Sequence, residues 1–382
     1  MQQALVACHA SLYAPSARPF APSVRRVGRC KPLRPAAGLL ETVLKPITSG
    51  GKALPLKDGI AKLYDESSGL WESMWGEHLH HGYYGAEEGT KSNAQAQIDM
   101  VDNVLDWAGV QSVKKVVDVG CGLGGSSRHI LDRYPGSEAR GITLSPVQAD
   151  RANVMTREAG LGDRAEFQVA DALSQPFPDG SFDLVWSLES GEHMPEKETF
   201  VRELARVALP GGRIIIVTWC HRNLAPGETA LTPEEQTLLD RLCEAYYLPA
   251  WCSLADYERL FAAHGIRGGW CCETGLHEGG AAATTREGSE PCRAWRQDLF
   301  CPPLVAHPTH PRADVKTADW SVEVQPFWGQ VIKSALTTQG VTGLLKAGWT
   351  TIKGALVMPL MARGLSMGLI KFVLITGVKA ET

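Results

Sequence analysis

The sequence lacks an uninterrupted apolar stretch of the length that a membrane-spanning helix requires. Its most apolar region lies near the C-terminus, where Lys353, Arg363 and Lys371 interrupt it every eight to ten residues. Since a spanning helix needs about twenty apolar residues in a row, we expect no transmembrane segment. Attachment to a membrane surface stays open as an alternative, because basic residues in such a region can face lipid headgroups.

Acidic residues are missing from the first forty positions, which carry six lysines and arginines and many alanines, prolines and serines. A basic, acid-free leader is typical of an organelle transit peptide, and its apolar stretches are too short and too broken by proline for a secretory signal. We therefore predict a transit peptide over 1–45, with a merely disordered tail as the alternative. Without the six basic charges the formal net charge goes from −4 to −10, which disfavours nucleic acid as a partner.

Cysteines paired at regular short spacings are also missing, although the chain has ten cysteines. Because no secretory signal precedes them, we interpret most of them as reduced thiols. The stretch 269–313 is rich in Gly, Ala, Pro and Thr, and it holds four of the cysteines and three histidines. Their spacing fits no pair of zinc knuckles. We expect a low-complexity insert there and no metal site.

The most informative feature that is present is the segment 116–130, VVDVGCGLGGSSRHI. Its first residues are β-branched and bounded by glycine, which predicts a short buried strand. Gly120, Gly122 and Gly124 permit a tight turn and a close approach of the backbone to a ligand. The helix that opens near Ser126 presents free N–H groups to the same crevice. The segment therefore predicts a cradle for a nucleotide-type cofactor.

The glycine spacing also matches the dinucleotide fingerprint, but one absence argues against NAD. The second strand, 139–145, ends without the acid that would bind an adenosine ribose. Instead, Asp118 precedes the first glycine by two residues, where it can meet a ligand ammonium group, and Asp171 follows the third strand, where it suits an adenine amino group. Two acids so placed predict S-adenosyl-L-methionine as the cofactor. Glycines that serve packing alone are the structural alternative.

Strands and helices alternate from residue 115 to 218, which predicts a parallel sheet with helices on both faces. The segment 369–376 reads as a closing edge strand that joins antiparallel. Ligands of such sheets bind beyond the carboxyl ends of the central strands, where Asp118, Thr143, Asp171 and Ser187 all fall. We predict strands over 115–119, 139–144, 165–169, 182–187 and 212–218, and helices from 126, over 146–158 and over 196–207.

Four segments resemble plant and algal tocopherol C-methyltransferases, namely GCGLGGSSRHI, GITLSPVQADRAN, VADALSQPFPDGSFDLVWSLESGEHMPEK and LPGGRIIIVTW. Sterol and cyclopropane-fatty-acid methyltransferases are more distantly similar. The resemblance covers most of the chain except the leader and the insert. It implies a Rossmann-like, seven-stranded class I methyltransferase sheet with helices on both faces. It also implies conversion of γ- to α-tocopherol and of δ- to β-tocopherol in vitamin E biosynthesis, in a plastid.

The predicted cofactor site combines residues of the strand ends with two tyrosines that the resemblance places over S-adenosylmethionine. Cys121 lies in the turn, where its small side chain is expected only to fill space. The full predicted set is Tyr64, Tyr83, Asp118, Gly120, Cys121, Gly122, Gly124, Thr143, Leu144, Gln148, Asp171, Ala172 and Ser187.

Methyl transfer from a sulfonium is an in-line displacement, so the enzyme mainly supplies positioning and dehydration. If the acceptor is a ring carbon ortho to a phenol, a base that shares or removes the phenolic proton makes the ring electron-rich. The segment SLESGEHM leaves the fourth strand at this location. His193 is the first candidate base, and Glu189 and Glu192 are rivals that could orient it or bind the phenol. A helix-capping role is the structural alternative for His193.

Aromatic residues are concentrated in the segment 64–84, which predicts an N-terminal aromatic helical cap over cofactor and substrate. Phe327, Trp328 and the methionines of 354–361 are expected to build a C-terminal lid over a prenylated acceptor, although ordinary core packing explains them equally well. The predicted organisation is a transit peptide (1–45), a helical cap (55–110), a cofactor-binding core (111–268), an insert (269–313), and an acceptor lid with the closing strand (314–382).

The predicted partner is a small prenylated phenol, with peripheral contact to envelope or plastoglobule membranes. The nearest alternative is an N-methyltransferase of alkaloids, because relatives of the tocopherol enzymes have taken up amine acceptors. Methylation of sterols or phosphoethanolamine, a non-catalytic module that senses S-adenosylmethionine, and a dinucleotide oxidoreductase are more remote alternatives.

Overall fold

The computed structural model describes residues 55–85, 91–268, 315–335, 337 and 348–381. The predicted leader and the predicted insert therefore lie outside the described residues. The described strands are β1 (Lys115–Val119), β2 (Glu138–Thr143), β3 (Ala165–Val169), β4 (Phe182–Leu188), β5 (Ala208–His221), β6 (Ile266–Arg267), β7 (Lys316–Asp319) and β8 (Ile370–Lys379).

These strands form one sheet in the order β3-β2-β1-β4-β5-β8, and β6 and β7 both pair with the outer edge of β8. Strands β1 to β5 are parallel to their neighbours, whereas β8 runs antiparallel to β5. The sheet is continuously apolar in its centre, where Ile214, Ile215, Ile216 and Val217 of β5 are all fully buried. Such runs are typical of strands that helices cover on both faces.

Side-chain caps mark four of the nine helix starts in the described residues. Ser145 accepts a hydrogen bond from the Gln148 N–H (3.0 Å) just before Pro146, and Thr232 forms a capping box with Glu235. The helices among the described residues are α1 (Leu56–Trp75), α2 (Asn93–Ala108), α3 (Gly125–Arg133), α4 (Pro146–Glu158), α5 (Lys197–Val207), α6 (Pro233–Tyr246), α7 (Leu254–Ala263), α8 (Ser321–Ala335) and α9 (Gly348–Ser366).

The predicted class I architecture and the antiparallel closing strand are confirmed, with two differences. Two short strands, β6 and β7, pair with different parts of the outer edge of β8, so the sheet has eight strands and not seven. The fifth strand also runs through Pro210, where the sequence predicted a break. Its pairing with β4 shifts from Phe182↔Ala208 to Leu184↔Arg213, so the intervening residues form a bulge within the strand.

Helix α1 docks against α4, beside the carboxyl ends of the strands, through polar contacts. The Arg151 guanidinium donates to the Glu72 carboxylate (Nε–Oε1, 3.1 Å), and the Gln148 amide donates to the Ser68 hydroxyl (3.1 Å). The Ser145 hydroxyl also donates to the carboxylate of Asp65. Three contacts from one helix therefore place its inner face over the crevice where the glycine turn lies.

None of the helices in the described parts of the chain combines the length and the apolar character that crossing a bilayer requires.

Candidate active site

The glycine turn after β1 is tight because its backbone folds back onto β2. The N–H groups of Gly120 and Cys121 both donate to the carbonyl of Ile142, at 2.9 and 3.0 Å. Gly120 has a φ of +85°, and a Cβ there would lie 2.3 Å from the Cβ of Ser190. Only glycine fits this position without displacing its neighbour.

A chamber of about 1100 Å³, counting its open mouth, lies between this turn, the ends of β1 and β2, and helix α1. We call it the strand-end chamber. Ten of the thirteen predicted cofactor residues line it, namely Tyr64, Asp118, Gly120, Cys121, Gly122, Thr143, Leu144, Gln148, Asp171 and Ala172. The fold therefore brings residues from four stretches of the chain, 64, 118–122, 143–148 and 171–172, onto one surface.

Three predicted cofactor residues lie outside that lining. The Tyr83 ring packs against Trp320 (4.9 Å between ring centroids) and does not line the strand-end chamber, so the placement over the cofactor that the resemblance implied stays a prediction. Gly124 is the N-cap of α3, with a φ of +76°. The Ser187 hydroxyl is buried and forms a hydrogen bond with the Ser190 hydroxyl (2.7 Å), which lies next to the glycine turn.

Two carboxylates in the strand-end chamber can bind positively charged or hydrogen-donating groups. Asp118 is 2% exposed and accepts a hydrogen bond from the Ser127 hydroxyl (2.6 Å). Burial raises the pKa of Asp118 to about 6, against the opposing effect of that hydrogen bond. The Asp171 carboxylate forms an ion pair with Lys57 of α1. Both acids thus favour a cationic or donor partner.

A second chamber of about 1050 Å³ adjoins the first, and we call it the aromatic chamber. The two chambers share Tyr64, Leu79, Glu189 and His193. All three predicted catalytic residues line the aromatic chamber. Its full lining is Tyr64, Trp71, Leu79, His81, Glu189, Glu192, His193, Trp219, Tyr246, Leu248, Trp251, Phe327, Trp328, Val331, Met358 and Met361.

His193 lies at the boundary of the two chambers. Its Nε2 is 2.9 Å from the hydroxyl of Tyr64, and its buried Nδ1 has no hydrogen-bond partner in the part of the chain that the structure describes. Burial and the nearby charge of Lys197 lower the pKa of His193 to about 4, so its imidazole is neutral at pH 7. The capping alternative is wrong, because α5 begins after Glu196 without any side-chain cap. A catalytic role for His193 stays a prediction.

Glu189 makes a pair that the sequence did not suggest. Its carboxylate accepts hydrogen bonds from the His81 backbone N–H and from His81 Nδ1, both at 2.6 Å. The residue has a φ of +53°, a conformation that few non-glycine residues adopt. Burial raises the pKa of Glu189, but the electrostatic attraction of the His81 ring and its hydrogen bonds outweigh burial and leave the pKa below its ordinary value. The carboxylate is therefore ionised.

Glu192 has the opposite electrostatic character. Its carboxyl is buried and accepts a hydrogen bond from the Thr218 hydroxyl (2.7 Å). Burial and the negative charge of Glu189 raise the pKa of Glu192 to about 7. Glu189 and Glu192 thus carry different charges near neutral pH, a separation that acid–base sites use. Among the described residues, no group of three His, Cys, Asp or Glu is arranged to hold a metal ion.

The titration of Glu192 gives a stability prediction. Glu192→Gln is expected to stabilise the protein at pH 8 and to change little at pH 5. The raised pKa means that the protonated carboxyl favours folding, and this contribution is lost as the pH rises from 4.5 through about 7. A neutral amide cannot ionise, so the variant avoids this loss, which is roughly 3 kcal/mol of unfolding free energy at most. Urea unfolding at both pH values measures the effect.

Glu203 provides a matched control for that experiment. A hydrogen bond from Arg206 lowers the pKa of Glu203, so Glu203→Gln is expected to lose stability at pH 8. If both variants changed stability alike at the two pH values, the raised pKa of Glu192 would be contradicted.

Comparison with known proteins agrees with this geometry. The family model for the methyltransferase domain matches residues 117–216. The chain is 52% identical to the probable tocopherol O-methyltransferase, chloroplastic, of Oryza sativa subsp. japonica, over 86% of this chain and 79% of that protein. It is 48% identical to the tocopherol O-methyltransferase, chloroplastic, of Arabidopsis thaliana (84% and 82%) and 33% identical to norajmaline N-methyltransferase of Rauvolfia serpentina (85% and 99%).

Among solved structures, a geranyl diphosphate methyltransferase in complex with GPP and sinefungin superposes with a TM-score of 0.60 at 19% identity. The match covers 85% of this chain and all of that one, and it establishes the shared fold. Together the matches confirm the enzyme class and the S-adenosylmethionine dependence predicted from the motifs. The chain belongs to the tocopherol methyltransferase family of class I, S-adenosylmethionine-dependent methyltransferases.

Proposed function

We propose that this enzyme methylates a ring carbon of tocopherols, converting γ- to α-tocopherol and δ- to β-tocopherol. The observation that carries the proposal is the junction of two chambers at Tyr64, Leu79, Glu189 and His193. One chamber offers carboxylates and backbone for a polar nucleotide-like cofactor. The other offers indole, phenyl and thioether surfaces that suit a chromanol ring and a prenyl tail.

The strand-end chamber fits S-adenosylmethionine by the chemistry of its side chains. Asp118 would bind the ammonium group, and Asp171 would accept from the adenine amino group once Lys57 releases it. When bound, the cofactor supplies a methyl group on a sulfonium, which is a good leaving group. We further propose that α1 acts as a cap over this chamber, and that α8 and α9 form the acceptor lid through Phe327, Trp328, Met358 and Met361.

The protein side chains at the junction supply dehydration and proton handling. Tyr64 stays protonated, because burial and the charges of Glu192 and Glu189 raise its pKa above the ordinary value. Its hydroxyl and the neutral imidazole of His193 therefore separate the two chambers without introducing charge. A phenol that loses its proton in the aromatic chamber becomes a better carbon nucleophile. The surrounding rings give the chamber a mainly apolar wall, which limits the access of water to the site of transfer.

The test is a panel of acceptors incubated with labelled S-adenosylmethionine and the chain without its leader. We expect label in γ- and δ-tocopherol, with slower or no transfer to a methyl-phytyl-benzoquinol and to indole alkaloids. Nuclear magnetic resonance of the product is expected to show an added aryl methyl group and a retained phenolic hydroxyl. A methyl ether would overturn carbon methylation, a point that matters because the Oryza and Arabidopsis relatives are named O-methyltransferases.

An amine acceptor is the second candidate, and one observation favours it. Glu189 and Glu192 place carboxyl groups in a chamber lined by Trp71, Trp219 and Trp251, a combination that also suits a cationic amine. The Rauvolfia relative is named as an N-methyltransferase. Transfer of label to the alkaloids alone would establish this alternative.

We propose a plastid location, supported by the basic leader and by the word chloroplastic in the names of two relatives. Contact with envelope or plastoglobule membranes belongs to the same proposal, since a prenylated acceptor dissolves in lipid. Import of the full chain into isolated plastids, followed by separation of membranes from stroma, tests both parts.

A further inference from the structure

Glu189 holds the His81 ring in place through two hydrogen bonds. An ionised carboxylate can only accept hydrogen bonds, so the proton of the 2.6 Å contact must belong to His81 Nδ1. The backbone N–H of the same residue binds the other carboxylate oxygen, also at 2.6 Å. The carboxylate therefore fixes both the position and the tautomer of the ring. In the neutral imidazole this leaves the lone pair on Nε2.

That Nε2 is buried and has no hydrogen-bond partner among the described residues, and the His81 side chain is only 13% exposed. The ring is enclosed by Trp219, Phe327 and Trp328, with centroid distances of 5.0, 4.2 and 5.1 Å. These neighbours do not titrate. Leaving a buried acceptor unpaired costs about 1–3 kcal/mol, so the position is suited to a ligand hydroxyl in the aromatic chamber that His81 lines.

We propose that His81 is the base that takes the phenolic proton of the acceptor and that Glu189 is its positioning residue, an inference that rests on the proposed function. The phenolic O–H bond breaks and an Nε2–H bond forms, giving an imidazolium beside the carboxylate. The ring carbon then takes the methyl group and loses its hydrogen as a proton to water. The imidazolium returns its proton to the oxygen, so one proton leaves per turnover.

The surroundings favour His81 over His193 for this step. A carboxylate directly on Nδ1 stabilises the imidazolium that forms, as in other carboxylate–histidine pairs. His193 instead has Tyr64 on Nε2 and the cation of Lys197 nearby, which oppose a positive ring. The β8 side faces His81 with Phe372, and α8 faces it with Phe327 and Trp328. Besides His81, the titratable residues in the described lining of the aromatic chamber are Tyr64, Glu189, Glu192, His193 and Tyr246, and the neighbouring His80 lines the strand-end chamber.

The first test uses His81→Asn, whose amide nitrogen can still donate to Glu189 while the basic atom is lost. We expect kcat with γ-tocopherol to fall by about 100-fold or more, as loss of a general base does, with unchanged affinity for S-adenosylhomocysteine. A second readout needs no turnover. In the presence of S-adenosylhomocysteine, the absorbance of bound 4-nitrophenol is expected to show more phenolate with wild type than with the variant.

His129→Asn is the matched control, because His129 of α3 pairs with Asp102 of α2 and lines neither chamber. It is expected to behave as wild type in both assays. Glu189→Gln is expected to lower kcat, and the His81→Asn/Glu189→Gln double variant to be no slower than His81→Asn, because the two residues act as one unit.

Chemical rescue separates basicity from packing. His81→Ala is expected to regain activity with added imidazole but not with pyrazole, which has the same shape and is a far weaker base. Equal rescue by both would assign a packing role and overturn the proposal, as would a wild-type kcat in a folded His81→Asn protein. If wild type itself methylated no phenol, the proposed function would fall together with this inference.

Discussion

Asp118→Asn is expected to weaken binding of S-adenosylhomocysteine by about 100-fold or more. The substitution keeps the shape of the side chain and its hydrogen bond from Ser127, and it removes only the negative charge. A buried carboxylate that meets an ammonium group makes a charge-assisted hydrogen bond, and losing one partner of such a pair costs roughly 2–5 kcal/mol. Isothermal titration calorimetry at pH 7.5 measures the loss directly.

The pH dependence of binding identifies the same group. Burial raises the pKa of Asp118 to about 6 in the free enzyme, and the bound ammonium favours the ionised form. Wild-type affinity is therefore expected to fall as the pH drops below about 6, since a proton must then be displaced from the carboxyl. The Asn variant is expected to lack this decline.

Asp183→Asn controls for the loss of any strand-end acid. Asp183 lies on β4 at the opposite end of the sheet, where it accepts from the backbone N–H groups of Lys114 and Lys115 at 2.8 and 2.6 Å. Its replacement is expected to lower stability but to leave cofactor affinity unchanged. An Asp118→Asn protein that bound S-adenosylhomocysteine as wild type does would remove the basis of the predicted cofactor site.

The parts of the fold that the sequence predicted are those with local causes. The first strand, Lys115–Val119, and the helix over Pro146–Glu158 match the predicted bounds, because β-branched runs, glycine turns and helix caps act within a few residues. The bulge in β5 was missed, since Pro210 and its glycines indicate a break whether the strand ends there or bends. Only the pairing with β4 decides between the two outcomes.

The residues of the candidate site likewise divide into those that a local sequence signal predicts and those that no such signal predicts. Asp118 and Asp171 could be identified because each follows a strand of a parallel sheet, whose ends share one edge. The partnership of His81 with Glu189 spans 108 residues, and no periodicity links the two positions. His81 was recognised only as part of an aromatic segment. Tyr83 is only two residues from His81 in the sequence, but its ring packs on Trp320. A dense aromatic run therefore does not reveal which rings face the site.

Gly120→Ala is expected to abolish measurable binding of S-adenosylhomocysteine and to lower the free energy of unfolding by about 3 kcal/mol. Two costs combine. A φ of +85° strains an L-residue by roughly 1–2 kcal/mol, and the new Cβ would lie 2.3 Å from the Ser190 Cβ in a packed interior, which typically costs about 1–3 kcal/mol more. Relief of the contact must move the turn that carries the N–H groups of Gly120 and Cys121 away from their bond to Ile142.

Two further variants separate the costs. Gly109 ends α2 with a φ of +71° and open space where a Cβ would stand, so Gly109→Ala is expected to cost only the backbone strain and to leave binding intact. Ser190→Gly removes the atom that a Cβ at 120 would strike, and it also removes the hydrogen bond from the Ser190 hydroxyl to the Val119 carbonyl (2.7 Å). The double variant Gly120→Ala/Ser190→Gly is therefore expected to be more stable than the sum of the single losses predicts. Strict additivity would mean that Ser190 does not limit the turn, and the requirement for glycine at 120 would then rest on the left-handed backbone alone.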